Sequence, residues 1–505
     1  MARHAVIATV PFVGVLDRKT RDLGKQVAQA LRVAIGRGDL GGGDALPSTR
    51  ALATALGVSR GTVVEAFEQL VAEGFLESRQ GASTRVTRTA PERPATRAGR
   101  ATASPRARAL PEAAAAFTRV AEQFAPLPVG PFAISVPGGQ TVPGDIWRRL
   151  GNRLRSRGAA APAGYAEAQG ARALREQIAR YVRRARSVRC EADQVVITSG
   201  TQQGLYLAAQ LLVGPGDATW VENPAYPALT AILATTGRGE RMARVPVDQE
   251  GLDVERGQVL APNATTAFVT PSHQYPLGMP MSLRRRTALL AWARQRGAWI
   301  VEDDYDSEIR YDGHPFPSLQ GLDRDRVVYL GTFSKVLFPS LRLGYAVVPG
   351  DLVPSFLGAR ILLDRHPPTA DQHVLAAFIG EGHLERHIRR LRGVYADQRL
   401  HVVQVFERLL PPALGRVQPC DQGMHMVVWL RDDIDDRTVA AAAVAHGVAV
   451  RAVSPMYAAG TARPGLLLGF GGYRADAVES AARRLVQVIT TAAGGRTPRR
   501  RRAPR

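Results

Sequence analysis

The stretch GTFSKVLFPSLRLGY, residues 331–345, contains Lys335 in a chain that otherwise takes its positive charge from arginine. The 505 residues hold two other lysines, Lys19 and Lys25, both near the N-terminus. A guanidinium does not deprotonate in proteins and cannot form a Schiff base with a carbonyl compound, whereas a lysine amine can. Lys335 is therefore either a reactive amine or a residue left over from drift toward arginine in a GC-rich genome.

The residues around this stretch alternate between apolar β-branched runs and helical stretches. This alternation predicts an α/β sheet with ligand groups at the strand ends. The predicted strands cover residues 195–198, 218–221, 267–270, 299–301 and 327–330.

Polar motifs follow several of these strands. The turn SGTQQG, residues 199–204, could hold a phosphate at a helix N-terminus, and it matches neither the dinucleotide nor the P-loop pattern. The acids of EDDY, residues 302–305, could bind magnesium beside a nucleotide or keep a pyridine nitrogen protonated. The turn ENPAY, residues 222–226, offers an aromatic ring.

In order along the chain, the motifs SGTQQG, ENPAYP, TPSHQYPLG, EDDYDSEIRY and GTFSKVLFPSLRLGY resemble the fold-type I aminotransferase domain, which binds pyridoxal 5′-phosphate. The resemblance implies that Lys335 is the Schiff-base lysine. The family's asparagine contact to the cofactor 3-hydroxyl has no clean counterpart, which leaves His273 and Gln274 as weaker candidates. The other cofactor-binding residues implied are Gly200, Thr201 and Gln202 in the phosphate turn, Tyr226 on the ring, Asp303 at the pyridine nitrogen, Tyr305 near the 3-hydroxyl, Thr332, Ser334 and Arg342 at the phosphate, and Tyr165 from a partner subunit.

One position departs from that family. Aminotransferases carry an arginine near the C-terminus that grips the substrate carboxylate, and Leu467 stands at about that place. Arg451 and Arg463 lie nearby in sequence, but neither clearly aligns. Because an apolar side chain cannot clamp a carboxylate, we expect little net turnover and favour sensing. A working aminotransferase with an appended DNA-binding domain, and a cofactor-free dimerisation scaffold, are the alternatives.

The N-terminal part predicts three helices and a small hairpin between residues 21 and 87. Residues 46–86 closely resemble the winged-helix DNA-binding domain of GntR-type regulators. An arginine at the start of the third helix can contact phosphate or guanine in the major groove. The resemblance implies DNA contacts from Arg50 and Arg60, with Ser48, Ser59, Thr62 and the wing tip at Gly81 packing on the DNA backbone.

Composition sets the remaining boundaries. An N-terminal arm covers residues 1–20, and residues 88–116 are rich in Ala, Pro, Arg, Thr and Ser, which predicts a disordered linker. The aminotransferase-like domain follows over residues 117–493, and residues 494–505 form a basic, disordered tail. The formal charge of +21 is concentrated toward the chain ends and favours a nucleic-acid partner.

Cysteine content and hydropathy narrow the class of protein. Cys190 and Cys420 are far apart, so we predict neither a disulfide scaffold nor a metal site. No apolar stretch is long enough to span a bilayer, so we expect no membrane association and a cytoplasmic protein.

The predicted fold is an N-terminal winged helix-turn-helix, mostly α with a small β wing, linked to an α/β fold-type I aminotransferase-like domain. This combination resembles the MocR/GabR type of transcriptional regulators. The resemblance implies a head-to-tail homodimer that binds a double-stranded DNA operator, associates with the nucleoid when bound, and senses pyridoxal 5′-phosphate itself or a small amine or amino acid.

Overall fold

The computed structural model describes residues 16–18, 20, 22–78, 83–88, 112–124, 130–137, 143–156, 164–314 and 316–494. The chain folds as two compact units, Met1–Ala109 and Leu110–Arg505. Most of the predicted arm, the wing tip at Gly81 and tail residues 495–505 lie outside the described residues. None of the described helices is long and apolar enough to cross a membrane.

The smaller unit is a winged helix. Its elements are α1 (Leu23–Arg37), α2 (Thr49–Leu56), α3 (Arg60–Ala72) and the antiparallel strands β1 (Leu76–Glu77) and β2 (Arg85–Val86). Two serine side chains start the second and third helices: Ser48 accepts a hydrogen bond from the N–H of Ala51, and Ser59 accepts one from Thr62. Buried apolar side chains of all three helices form one core, so the predicted fold class is confirmed for this unit.

The larger unit is built on an eight-stranded sheet. Its strands are β3 (Val195–Thr198), β4 (Ala218–Asn223), β5 (Met242–Asp248), β6 (Gly251–Leu252), β7 (Ala264–Val269), β8 (Trp299–Asp304), β9 (Val327–Thr332) and β10 (Gly344–Val347). Their order is β3-β10-β9-β8-β7-β4-β5-β6, with β5, β4, β7, β8 and β9 mutually parallel. Polar residues that follow these parallel strands therefore meet at one edge of the sheet.

A second, four-stranded antiparallel sheet lies toward the C-terminus. It consists of β11 (Gly415–Gln418), β12 (His425–Leu430), β13 (Arg451–Ala452) and β14 (Gly465–Gly469), in the order β11-β12-β14-β13.

Thirteen α-helices of the described residues complete this unit. They are α4 (Glu112–Gln123), α5 (Gly144–Ser156), α6 (Arg172–Arg186), α7 (Thr201–Leu212), α8 (Pro227–Thr235), α9 (Val254–Leu260), α10 (Leu283–Arg296), α11 (Leu319–Leu322), α12 (Val353–Asp364), α13 (Ala370–Gly380), α14 (His383–Leu409), α15 (Asp436–Ala445) and α16 (Ala475–Gly494). The predicted α/β aminotransferase-like architecture is confirmed.

One boundary prediction is wrong. The linker was predicted to extend to residue 116, but α4 begins at Glu112, so residues 112–116 are helical. The reason is the run EAAAAF, because alanine has the highest intrinsic helix propensity although it is also common in linkers.

Candidate functional site

A cavity of about 410 Å³ opens at the carboxyl ends of the parallel strands. Strands β4, β7, β8 and β9 each supply a lining residue from their last position or from the loop that follows. The lining residues are Phe124, Ile134, Ser135, Val136, Thr201, Tyr226, Thr270, Tyr275, Asp303, Tyr305, Asp306, Lys335, Pro339, Met424, His425 and Arg451.

Lys335 follows β9 and is half-buried in this pocket. Burial is the main cause that lowers the pKa of its amine to about 8, against the opposing effect of the carboxylates of Asp306 and Asp303. A lowered pKa increases the neutral, nucleophilic fraction of the amine at neutral pH.

Asp303 lies near the end of β8 and is buried, and its Oδ1 has no hydrogen-bond partner among the described residues. Burial, with a smaller contribution from Asp304, raises the pKa of this carboxyl to about 7, against the opposing effects of Lys335 and Thr201. A buried carboxyl with an unused acceptor is suited to a charged N–H donor that enters the pocket.

The two neighbouring acids of the same strand do not line the pocket. Glu302 accepts hydrogen bonds from the backbone N–H groups of Leu319 and Gln320, at 3.0 and 3.1 Å. Asp304 accepts hydrogen bonds from Arg186 Nε at 2.7 Å and from the Tyr329 hydroxyl at 2.6 Å. Alternation along the strand therefore leaves Asp303 alone of the three facing the pocket.

The residues predicted to bind a phosphate surround the N-terminus of α7. Gly200 has φ +86°, which favours glycine, and a Cβ there would lie 3.4 Å from the Arg342 guanidinium. Arg342 donates to the Ser199 carbonyl at 2.7 Å. The hydroxyl of Thr332 donates to that of Ser334 at 3.1 Å. A helix N-terminus, a guanidinium and two hydroxyls together form an anion-binding arrangement.

Two members of the predicted phosphate turn are placed differently from the expectation. The Thr201 side chain lines the same pocket as Asp303 and lowers the pKa of that carboxyl. The Gln202 side chain is exposed and does not line the pocket. Each helical step turns the side chain by about 100°, which directs these two successive residues to different sides.

The aromatic candidates fall into two groups. Tyr226 and Tyr305 line the pocket, and the Tyr305 hydroxyl donates to the His273 carbonyl at 3.0 Å. Tyr165 does not line the pocket of its own chain: it is 77% exposed, and the Arg365 guanidinium lies 4.0 Å from its ring centre.

The weaker candidates for the 3-hydroxyl contact are also separated. The Gln274 side-chain amide donates hydrogen bonds to the backbone carbonyls of Pro224 and Tyr275. Gln274 does not line the pocket. His273 Nδ1 lies 2.9 Å from Asp306 Oδ1. Ligand atoms of His273, Asp306 and His425 lie within 4.8 Å of one another, a set chemically able to hold a metal ion. The sequence motifs did not bring these three residues together, because the residues come from distant segments of the chain.

Arg451 is a charged pocket residue that the motifs did not assign. It pairs with Leu467 across β13 and β14. Leu467 is fully buried in an apolar cluster with Val427 and Trp429, whereas Arg451 lines the pocket and its Nε has no hydrogen-bond partner among the described residues. Arg463 stacks on Trp429 at 4.1 Å and does not line the pocket.

In the winged helix, the predicted DNA-contacting arginines are exposed near each other. Arg60 Nε lies 3.4 Å from the hydroxyl of Thr49, which adjoins Arg50. Ser48 and Ser59 act as helix caps, and the Ser59 and Thr62 hydroxyls lie 2.8 Å apart. The structure thus gives both serines a capping role in addition to the predicted contact with DNA.

Comparisons with known proteins agree with both units. The model of the bacterial regulatory proteins of the gntR family matches residues 23–86, and that of aminotransferase class I and II matches residues 149–467. The chain is 35% identical over 474 residues to the probable rhizopine catabolism regulatory protein MocR of Rhizobium meliloti, covering 91% of this chain and 92% of that protein. It is 34% identical to the pyridoxine biosynthesis transcriptional regulator PdxR of Corynebacterium glutamicum, covering 89% and 92%.

A solved structure gives the corresponding result for the large unit. The α-aminoadipate aminotransferase LysN of Thermus thermophilus, in complex with N-(5′-phosphopyridoxyl)-L-leucine, matches with a TM-score of 0.69 and 25% identity. The match covers 76% of this chain and 98% of LysN.

Proposed function

Because the chain belongs to the MocR-type transcriptional regulators, in which a gntR-family DNA-binding domain precedes an aminotransferase class I and II domain, we propose that it holds pyridoxal 5′-phosphate on Lys335 and senses an amine there. Binding DNA would place it in the cytoplasm with the chromosome. The cofactor of the large unit is pyridoxal 5′-phosphate. When bound, this cofactor supplies an aldehyde that reacts with primary amines and a pyridine ring that withdraws electrons.

The observation that carries the proposal is that one pocket holds both the Lys335 amine and the buried carboxyl of Asp303 with its unused Oδ1. These residues fit the cofactor. Asp303 would accept from the pyridine nitrogen, and Tyr226 would lie against the ring. Ser334, Thr332 and Arg342 would hold the phosphate with the backbone turn at Gly200.

Replacing Lys335 with alanine tests this assignment. The wild type with pyridoxal 5′-phosphate should develop an absorption band that borohydride reduction fixes to the protein, and Lys335→Ala should develop none. The Arg342→Gln variant, which keeps the amine, should still be labelled but should require more cofactor. A reduced, cofactor-labelled Lys335→Ala chain, or an unlabelled wild type, would contradict the proposal and favour a cofactor-free scaffold.

The effector is proposed to be an amine that also carries a carboxylate. Arg451 offers a guanidinium in the pocket with a free donor, while Leu467 leaves the position across the sheet apolar. A bidentate contact from Arg451 would orient a carboxylate so that the amine of the same molecule approaches the cofactor aldehyde. A keto-acid product from an amino acid would instead support the aminotransferase alternative.

We expect Arg451→Gln to weaken the response to amino-acid effectors by about 10- to 100-fold, as for loss of a charged hydrogen bond of about 1.5–3 kcal/mol. The response is the shift in operator affinity that amino acids cause, measured by fluorescence anisotropy. Arg463→Gln is the matched control, because Arg463 lies on Trp429 outside the pocket. An unchanged response in Arg451→Gln would exclude this residue as the carboxylate contact.

The assembly is proposed to be a head-to-tail homodimer. An exposed aromatic ring at Tyr165 and the exposed apolar residues Ile361, Leu362 and Leu363 of α12 favour contact with a second copy. In that arrangement Tyr165 would reach the partner's phosphate site, and light scattering would check the dimer mass. Regulation requires the effector to bind one arrangement of the dimer better than another.

A further inference from the structure

Arginine is concentrated on three helices of the large unit. Residues 144–156 of α5, 172–186 of α6 and 383–392 of α14 together hold 14 arginines and three acidic residues. The rest of residues 111–493 has four more acidic than basic side chains. The net positive charge of this unit therefore comes from these three segments.

These three helices are neighbours. An ion pair between Arg184 and Glu385 joins α6 to α14, and one between Arg153 and Glu381 joins α5 to the residue after α13. A groove of about 220 Å³ lies between α6 and α14, and one of about 390 Å³ lies between α5 and α14. We call this region the α5–α6–α14 surface.

The arginines of α14 divide between the two grooves. Arg389 and Arg392 line the groove beside α6, together with Arg184. Arg386 and Arg390, four residues apart on one helix face, line the groove beside α5. Arg386 and Arg389 are three residues apart, so the two rows are neighbours on the helix and form one continuous arginine surface.

Seven of the 14 arginines form ion pairs, and two of those seven, Arg175 and Arg186, are buried. Part of the remaining charge is exposed and has no acidic partner. Arg149, Arg155, Arg180 and Arg389 are exposed, and none of them forms an ion pair with another described residue. Exposed guanidinium groups at this density repel one another, and phosphate groups relieve that repulsion while releasing counterions from DNA.

We propose that the α5–α6–α14 surface binds the phosphate backbone of DNA that flanks the site held by the winged helix. This inference rests on the DNA-binding function of the gntR-family domain. The contacts are made to phosphates, so they add affinity and salt dependence without reading sequence.

The test compares wild type with the double variant Arg180→Gln/Arg389→Gln. Both side chains are exposed and unpaired, so the fold should tolerate the change. Binding is measured over a range of salt concentrations, on a short operator fragment and on one extended by about four helical turns, about 40 bp, at each end. Each lost phosphate contact reduces the slope of log K against log salt by about 0.9. On the long fragment we therefore expect the double variant's slope to be shallower by about 1.8 for each α5–α6–α14 surface that binds the DNA. Binding to the short fragment should not change.

A double variant with the same loss of charge serves as the matched control. Arg256→Gln/Arg296→Gln alters exposed arginines on α9 and α10, outside the three helices, and should keep the wild-type slope. An unchanged slope in Arg180→Gln/Arg389→Gln would overturn the proposal. So would a changed mass in light scattering with no change in slope, because the surface would then contact a second copy of the chain. The Arg60→Ala variant tests the DNA-binding function separately. If Arg60→Ala loses binding to both fragments, the winged helix reads the operator whatever the result for the arginine surface. If Arg60→Ala binds both fragments like wild type, the assignment of DNA binding to the winged helix is wrong.

Discussion

The Asp304→Asn variant is expected to lose about 3–5 kcal/mol of unfolding free energy in the large unit, the usual cost of removing one member of a buried ion pair. Asp304 and Arg186 have side chains 1% and 2% exposed, with Nε and Oδ2 2.7 Å apart. Asparagine keeps the size of the side chain but leaves the Arg186 charge uncompensated in the interior. The pair joins the end of α6 to β8, so its loss should affect the whole sheet.

Urea unfolding followed by tryptophan fluorescence measures this loss. All five tryptophans lie between residues 147 and 429, so the signal reports on the large unit alone. Asp303→Asn without cofactor is the matched control. It changes the adjacent acid, whose burial already raises its pKa, and should leave the urea midpoint close to the wild-type value. Equal midpoints for Asp304→Asn and wild type would show that Arg186 is not a buried, charged partner of this carboxyl.

The affinity for the cofactor should instead depend on Asp303. Asp303→Asn should weaken pyridoxal 5′-phosphate binding by about 30-fold or more, because removing one partner of a buried charge pair costs about 2–5 kcal/mol. Asparagine supplies a neutral oxygen where the carboxylate would face the protonated pyridine nitrogen. Equilibrium titration monitored by the cofactor absorbance gives the dissociation constant.

Glu302→Gln is the control for this second prediction. Glu302 accepts hydrogen bonds from the backbone of α11 and does not line the pocket. Its variant should therefore keep the wild-type dissociation constant under conditions where both proteins are folded. Equal dissociation constants for Asp303→Asn and wild type would remove Asp303 from the cofactor site.

The three successive acids illustrate what the sequence can predict. A strand alternates its side chains, so residues 302–304 were certain to point to two faces once they were in β8. Sequence alone could not say which face carries the pocket, because that depends on the helices packed on each side of the sheet. The resemblance to aminotransferases selected Asp303, and the structure adds the separate partners of Glu302 and Asp304.

Arg451 was harder to predict. It reaches the pocket because β13 pairs with β14 in a register that sets Arg451 beside Leu467, although the two residues are 16 positions apart in sequence. Strand register is determined by packing across the sheet and cannot be read from one isolated two-residue strand. The predicted end of the linker was wrong for a different reason, because an alanine-rich segment is compatible with both a helix and a linker.

The position of Lys335 has a consequence for protein chemistry. It is the sole lysine of the large unit, since the other two lie within the first 25 residues. A lysine-specific protease acting on the denatured chain therefore separates residues 26–335 from residues 336–505 by cutting at Lys335 alone. A modified amine at this residue is not cleaved, so those two fragments stay joined, and gel mobility reports the occupancy of one atom in a 505-residue chain.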